Sequence, residues 1–343
     1  MRDARPLVDA LREPASVEAL DSSQWTELIS MARAESLIGS LAHRVKDLAL
    51  PDGVRAVLQD AVEAHDLARQ QALWEADCAR RALADYPGKV VLMKGTAYVA
   101  ANLVAGLGRS IGDLDIMVAR DDLPVVEAAL LDAGWEWVKP DPYDDRYYRD
   151  HMHELPPLIH RERDRMIDVH HTILPLTAKP RPDAEAILDS AVRLDNGLYV
   201  LAPADMVLHS IAHLFADGDM AGWLRNLWDI NLLLQHFSKV NDSFWSELAS
   251  RALTHGLGNE LASAIRLAVR LYAMPAPDLR AGRSEVVDSF YVRRLLARDG
   301  YGRETRKWTR FAFYVRSHWL RMPPMMLARH LWTKWRKGGK PTK

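Results

Sequence analysis

The sequence predicts an α+β fold in which a small mixed β-sheet lies between N-terminal and C-terminal helical segments. Three observations predict it. Residues 1–86 repeat apolar positions at helical spacing, residues 87–200 change to short β-branched or alternating runs separated by turns, and helical spacing returns from residue 201. Those three stretches, 1–86, 87–200 and 201–343, are the expected domain organisation. A chain of 343 residues with 48% hydrophobic composition can bury a substantial core.

The first helical stretch, SQWTELISMARAESLIGSLAHRVKDL, reads as one helix with Ser23 as N-cap, broken by Pro51. A second long helix follows, from Val54 to Tyr86, and stops at Pro87-Gly88. KVVLM (89–93) has the β-branched content of a buried strand, TAYVAANLV (96–104) reads as a short helix, and GLGRSIG (106–112) is a Gly-rich turn. DLDIMVA (113–119) alternates, which puts Asp113, Asp115 and Met117 on one face and Leu114, Ile116 and Val118 on the other. DDLPVVEAALLDAG is a helix closed by Gly134, and WEWVK is a strand. HELPPLIH and RMIDVHHTI are two further strands joined by the turn RERD, with Met166, Asp168 and His170 sharing a face of the second. After Pro203, ADMVLHSIAHLFADG and MAGWLRNLWDINLLLQHF are amphipathic helices.

Bulk properties narrow the class. A formal net charge of −1 implies no overall polyanion or polycation partner, and no specific nucleic acid is expected. A single cysteine, Cys78, rules out an internal disulfide framework and fits a reducing compartment. No apolar leader opens the sequence and no transmembrane run occurs, so a cytoplasmic protein is expected.

The chemistry centres on Asp113, Asp115 and Asp168, three carboxylates on two strands of one sheet. Neighbouring strands would bring them to one point, where like charges repel and one carboxyl must take up a proton. A divalent cation removes that conflict. Mg²⁺ suits such a set, since it takes a few carboxylates and completes its shell with waters and substrate phosphates. Relief of the repulsion by an Asp-to-Asn change would also favour the metal-free fold.

The pattern LMKG (92–95), Arg109 before the carboxylates in GRSIGDLDIMV, and IDVHH (167–171) resembles a family of bacterial nucleotidyltransferases within the DNA polymerase beta-like superfamily. LRNLWDINLLL, with Arg225 and Asp229, is similar to that family's helical second half. The resemblance implies transfer of a nucleoside monophosphate from an NTP to an acceptor with release of pyrophosphate. It implies that Asp113, Asp115 and Asp168 hold Mg²⁺ or Mn²⁺, and that Asp168 helps the acceptor oxygen lose its proton. Many superfamily members carry Gly-Ser after the first strand, where this chain has Lys94-Gly95.

At that position Gly95 lets the backbone approach a ligand, and Lys94 either supplies a mobile charge for the β- and γ-phosphates or pairs with Asp113 or Asp115 in the metal-free protein. Arg109, in the turn before the carboxylates, has a donor fork suited to phosphate. Arg225 either pairs with Asp229 along its helix, at i, i+4, or reaches the triphosphate across a cleft. His170, two residues beyond Asp168, reads as a supporting neighbour of the metal ligands, as does Asp229. Thirteen histidines, including His151, His153, His209 and His213, invite a zinc reading, but no H-E-x-x-H accompanies them. The glycines of 106–112 follow a helix and not a strand, so no dinucleotide fingerprint is present.

From Tyr301 onward there are twelve Lys or Arg and one acid, Glu304, with aromatics interspersed. This tail reads either as a packed helical lobe or as an attachment to an anionic surface or acidic partner. The main alternative to an enzyme is a nucleotide-binding or antitoxin-like regulatory protein that keeps the fold without turnover. The acceptor, whether small molecule, peptide or protein, is not legible.

Overall fold

The computed structural model describes residues 3–139, 141–216, 222–276, 285–321 and 332. The sheet is built from β1 (Val91–Leu92), β2 (Leu114–Met117), β3 (Trp135–Trp137), β4 (Leu158–His160), β5 (Met166–His170), β6 (Val192–Arg193) and β7 (Tyr199–Val200), in the order β3-β4-β5-β2-β1-β7-β6. It is mixed: β2 runs parallel to β5 and β1 parallel to β7, and the other neighbours are antiparallel. The expected small mixed sheet between helical segments is therefore what the chain forms. The edge hairpin β6-β7 was not anticipated, because each strand is only two residues long and offers no alternation to read.

On the N-terminal side lie α1 (Arg5–Arg12), α2 (Ser22–Ala34), α3 (Ile38–Val45) and α4 (Asp52–Ala82). The expected single helix from Ser23 is two helices. Its N-cap is Asp21, whose carboxylate accepts from the Gln24 amide while the Gln24 side chain accepts from the Asp21 amide. That reciprocal capping box satisfies two orphan amides, worth about 1 kcal/mol for a cap of this kind. The helix ends because Ser36 adopts φ +53°, which no helix accommodates, and α3 starts two residues later.

Within the central region α5 (Lys94–Ala100) and α6 (Leu123–Asp132) follow β1 and β2. Gly134, at φ +103°, sits in the left-handed region just past α6, as its sequence position suggested. The helices α7 (Pro142–His151) and α8 (Ala184–Ser190) connect the later strands. All four residues of β2 are buried, since α4 and α5 both pack on that strand. The alternation of DLDIMVA thus marks two covered faces and not an inner and an outer one.

The C-terminal helices are α9 (Pro203–Ala216), α10 (Trp223–Val240), α11 (Phe244–Thr254), α12 (Gly258–Tyr272), α13 (Glu285–Leu295) and α14 (Lys307–Arg321). One apolar core runs from Ala4 through the sheet to Phe313. N-terminal and C-terminal helices meet directly: α1 packs on α12, Arg298 Nε donates to Glu35 Oε1 at 2.6 Å, and the Ala4 amide donates to the Leu296 carbonyl. The junction 217–221 of the two helices expected after Pro203 lies outside the described residues, as do 322–331 and 333–343 of the tail. No helix among the described residues is long and apolar enough to cross a membrane.

Candidate functional site

The parallel register of β2 on β5 sets Asp115 directly opposite Asp168 and Met117 opposite His170. Asp113 lies just before β2, exposed, and one carboxylate oxygen from each of Asp113, Asp115 and Asp168 falls within 4.8 Å of the others. The three carboxylates do converge, and the strand pairing is the cause.

Their environments differ. Asp115 is 2% exposed. Lys94 Nζ donates to its Oδ1 at 2.6 Å, and His170 Nε2 lies 2.9 Å from the same oxygen. Burial works against the charge on Asp115, but Lys94 and then His170 outweigh it and hold the carboxyl well below its usual range. Burial likewise opposes the Lys94 charge, and the Asp115 carboxylate overcomes it, so the lysine stays cationic. Asp168 makes no ion pair with a lysine or arginine among the described residues. Burial, with Glu154 and Asp115 close by, pushes it up to about 7, and its Oδ1 is buried without a hydrogen-bond partner. An orphaned carboxylate oxygen facing two further carboxylates is a donor set that fits a hard divalent cation.

Lys94 does not leave the strand as a flexible arm. It is the first residue of α5 and adopts φ +46°, uncommon for a residue with a Cβ. Gly95 makes the next step possible in an unexpected way. A Cβ there would overlap the Arg109 guanidinium, so the room left by glycine is filled by this arginine. Arg109 Nε donates to Asp229 Oδ2 at 2.9 Å, and its guanidinium also lies over the Tyr98 ring. Arg225 is buried; it donates to the Ser36 and Ser110 carbonyls at 3.3 Å each, and its Nε lies 3.4 Å from Asp229 Oδ2. The turn 106–112 is thereby clamped from α10. It is also pressed on α3, where Gly108, at φ +64°, leaves no room for a Cβ against the Gly39 backbone.

A cavity of 230 Å³ opens beside the aspartates, lined among others by Lys94, His153, Glu154, Asp168 and His213. Asp168 and Lys94 reach it; Arg109 and Arg225 do not line it. Sequence reading missed Glu154. Its signal was its place at the start of HELPPLIH, a segment that runs against β5, with Glu154 bridged to His170. His209, on α9, is buried, and burial with Lys94 and His213 nearby keeps it neutral.

A family model described as "Uncharacterised nucleotidyltransferase" matches residues 21–273. No curated protein matches the chain.

Proposed function

The chain belongs to this family of uncharacterised nucleotidyltransferases, and on that premise we propose that it transfers a nucleoside monophosphate from an NTP to an acceptor, releasing pyrophosphate. The observation that carries the reading is the convergence of Asp113, Asp115 and Asp168 around an unpartnered Asp168 oxygen at the wall of a cavity. These residues would hold Mg²⁺ or Mn²⁺, which neutralises phosphate charge and lowers the barrier to in-line displacement.

The protein's own groups then have distinct tasks. Asp168 would complete the cation's ligand set and help the acceptor oxygen lose its proton. The rise of its carboxyl to about 7, caused by burial and by Glu154 and Asp115 close by, belongs to the metal-free protein and is what a bound cation would reverse. Lys94 stands at the same cavity with three donors, so once Asp115 is engaged elsewhere its ammonium is free to follow the β- and γ-phosphates. His170 keeps Asp115 oriented. Arg109, Arg225 and Asp229 enter this reading as the clamp that fixes Gly95 and hence Lys94, and not as direct phosphate ligands, because their polar groups are committed to one another and to backbone carbonyls.

Binding of a non-hydrolysable NTP, followed by calorimetry, tests the reading. We expect binding only when Mg²⁺ or Mn²⁺ is present, loss of it in Asp113→Asn, and metal-dependent pyrophosphate release from NTP with trial acceptors. Equal nucleotide affinity with and without metal, or in Asp113→Asn, would overturn it. Metal-dependent binding without pyrophosphate release across acceptors would favour the regulatory, non-catalytic alternative.

The tail adds a partner. On α14, Trp308 (86% exposed), Phe311 and Val315 present an apolar stripe beside Lys307, which supports contact with an anionic membrane surface.

A further inference from the structure

His170 uses only one of its nitrogens on the aspartates. His170 Nε2 lies 2.9 Å from Asp115 Oδ1, an oxygen that accepts, so in the neutral ring that nitrogen carries the proton and Nδ1 the lone pair. That Nδ1 is buried, with the side chain 1% exposed, and has no hydrogen-bond partner. It lies 3.4 Å from Glu154 Oε2. His153 approaches the same oxygen, with Nε2 3.6 Å from Glu154 Oε2, and its ring centroid is 5.2 Å from that of His170. One donor atom from each of His153, Glu154 and His170 lies within 4.8 Å of the others.

The backbone fixes this arrangement. The His171 amide donates to the His153 carbonyl and the Leu155 amide to the Val169 carbonyl, each at 2.9 Å, so both segments are tied across one ladder. Burial above all, with the Lys94 ammonium nearby, favours the neutral form of His153, as a ligand must have. Glu154 and His153 also line the 230 Å³ cavity, leaving room for further ligands.

We propose that His153, Glu154 and His170 form a second cation site, for a borderline transition-metal ion of the Zn²⁺ class, beside the aspartate group and distinct from it. Two imidazoles and one carboxylate suit such an ion, whereas Mg²⁺ prefers an all-oxygen set. The Asp115–His170 hydrogen bond then acts as the carboxylate-to-histidine support typical of metal-bound imidazole. A cation on Nδ1 requires the proton on Nε2, so occupancy would lock the hydrogen bond that orients Asp115. This site does not depend on nucleotide transfer taking place.

Co²⁺ titration of the chelator-treated full-length protein, in excess Mg²⁺, tests it through the visible absorption of the bound ion. One equivalent should bind despite Mg²⁺ and be displaced by Zn²⁺. His153→Gln and Glu154→Gln should each weaken binding by at least about tenfold, while Asp113→Asn binds as the parent does. Melting curves check that the variants are folded, and the near-isosteric Glu154→Gln stands in should His153→Gln fail. No Co²⁺ binding by the parent protein would overturn the site. Complete displacement by Mg²⁺, or loss in Asp113→Asn with retention in Glu154→Gln, would overturn it in favour of the aspartates alone.

Discussion

Lys94 Nζ rests 2.6 Å from Asp115 Oδ1, so the lysine that the sequence offers to a phosphate is held by a carboxylate that it offers to a metal. The pair is largely buried, Asp115 more so than Lys94. Removing one partner leaves the other charge desolvated and uncompensated.

Lys94→Met should therefore destabilise the metal-free protein by about 3 kcal/mol, the low end for a broken buried pair, because His170 still serves Asp115. Divalent metal should restore part of the loss by replacing the missing positive charge. The same variant should bind Mg-NTP more weakly by about 1.5–3 kcal/mol, the range of a charge-assisted bond. Denaturant unfolding with and without Mg²⁺, together with calorimetry, reads both effects. Unchanged nucleotide affinity would mean that this lysine does not grip the triphosphate.

Asp168 and Asp115 should respond oppositely to amide substitution. The Asp168 carboxyl has a pKa near 7 in the fold against 3.8 when unperturbed, so the folded state holds the proton more tightly. Stability is then lost as pH rises from about 4 through 7. Metal-free Asp168→Asn should escape that loss, and its melting-point advantage over the parent should grow between pH 5 and 8. Asp115→Asn should instead lower the melting point, since it strands Lys94, which reverses the stabilising effect expected from charge repulsion alone. Metal affinity of the parent should rise with pH through the same window, because a protonated Asp168 cannot ligate. A melting-point difference independent of pH would contradict the assignment.

Gly95 and Arg109 should be coupled. Gly95→Ala pushes a methyl group into the guanidinium that Asp229 holds, so it should cost about 1–3 kcal/mol. In Arg109→Ala that space is vacant, and the added methyl should cost much less. A double-mutant cycle measures the difference, with additive costs counting against the clamp.

On α14, Trp308→Ala with Phe311→Ala should reduce association with acidic lipid vesicles while leaving the melting point nearly unchanged, because both side chains are exposed. Association of the parent should fall as salt rises. Equal partitioning of parent and variant would exclude this face as the contact.

The sequence by itself determined the order of elements around the site. LMKG, DLDIM and MIDVH each carry their strand in their own local pattern, and the period of two is enough to put Asp168 and His170 on one face. It also determined which ionisable side chains stand on those strands. Boundaries were less legible, as with Asp21 in place of Ser23 as the cap and Lys94 as the first residue of a helix, because capping and positive φ depend on neighbours a few residues away. Tertiary structure alone decided the partners. That β2 lies parallel to β5 sets Asp115 across from Asp168, and α10 brings Asp229 to Arg109 from 120 residues away. It also carries His153 and Glu154 to His170, whose spacing of sixteen or more residues fits no local ligand motif. Such contacts arise from sheet pairing and helix packing across long stretches of chain, and no local periodicity encodes them.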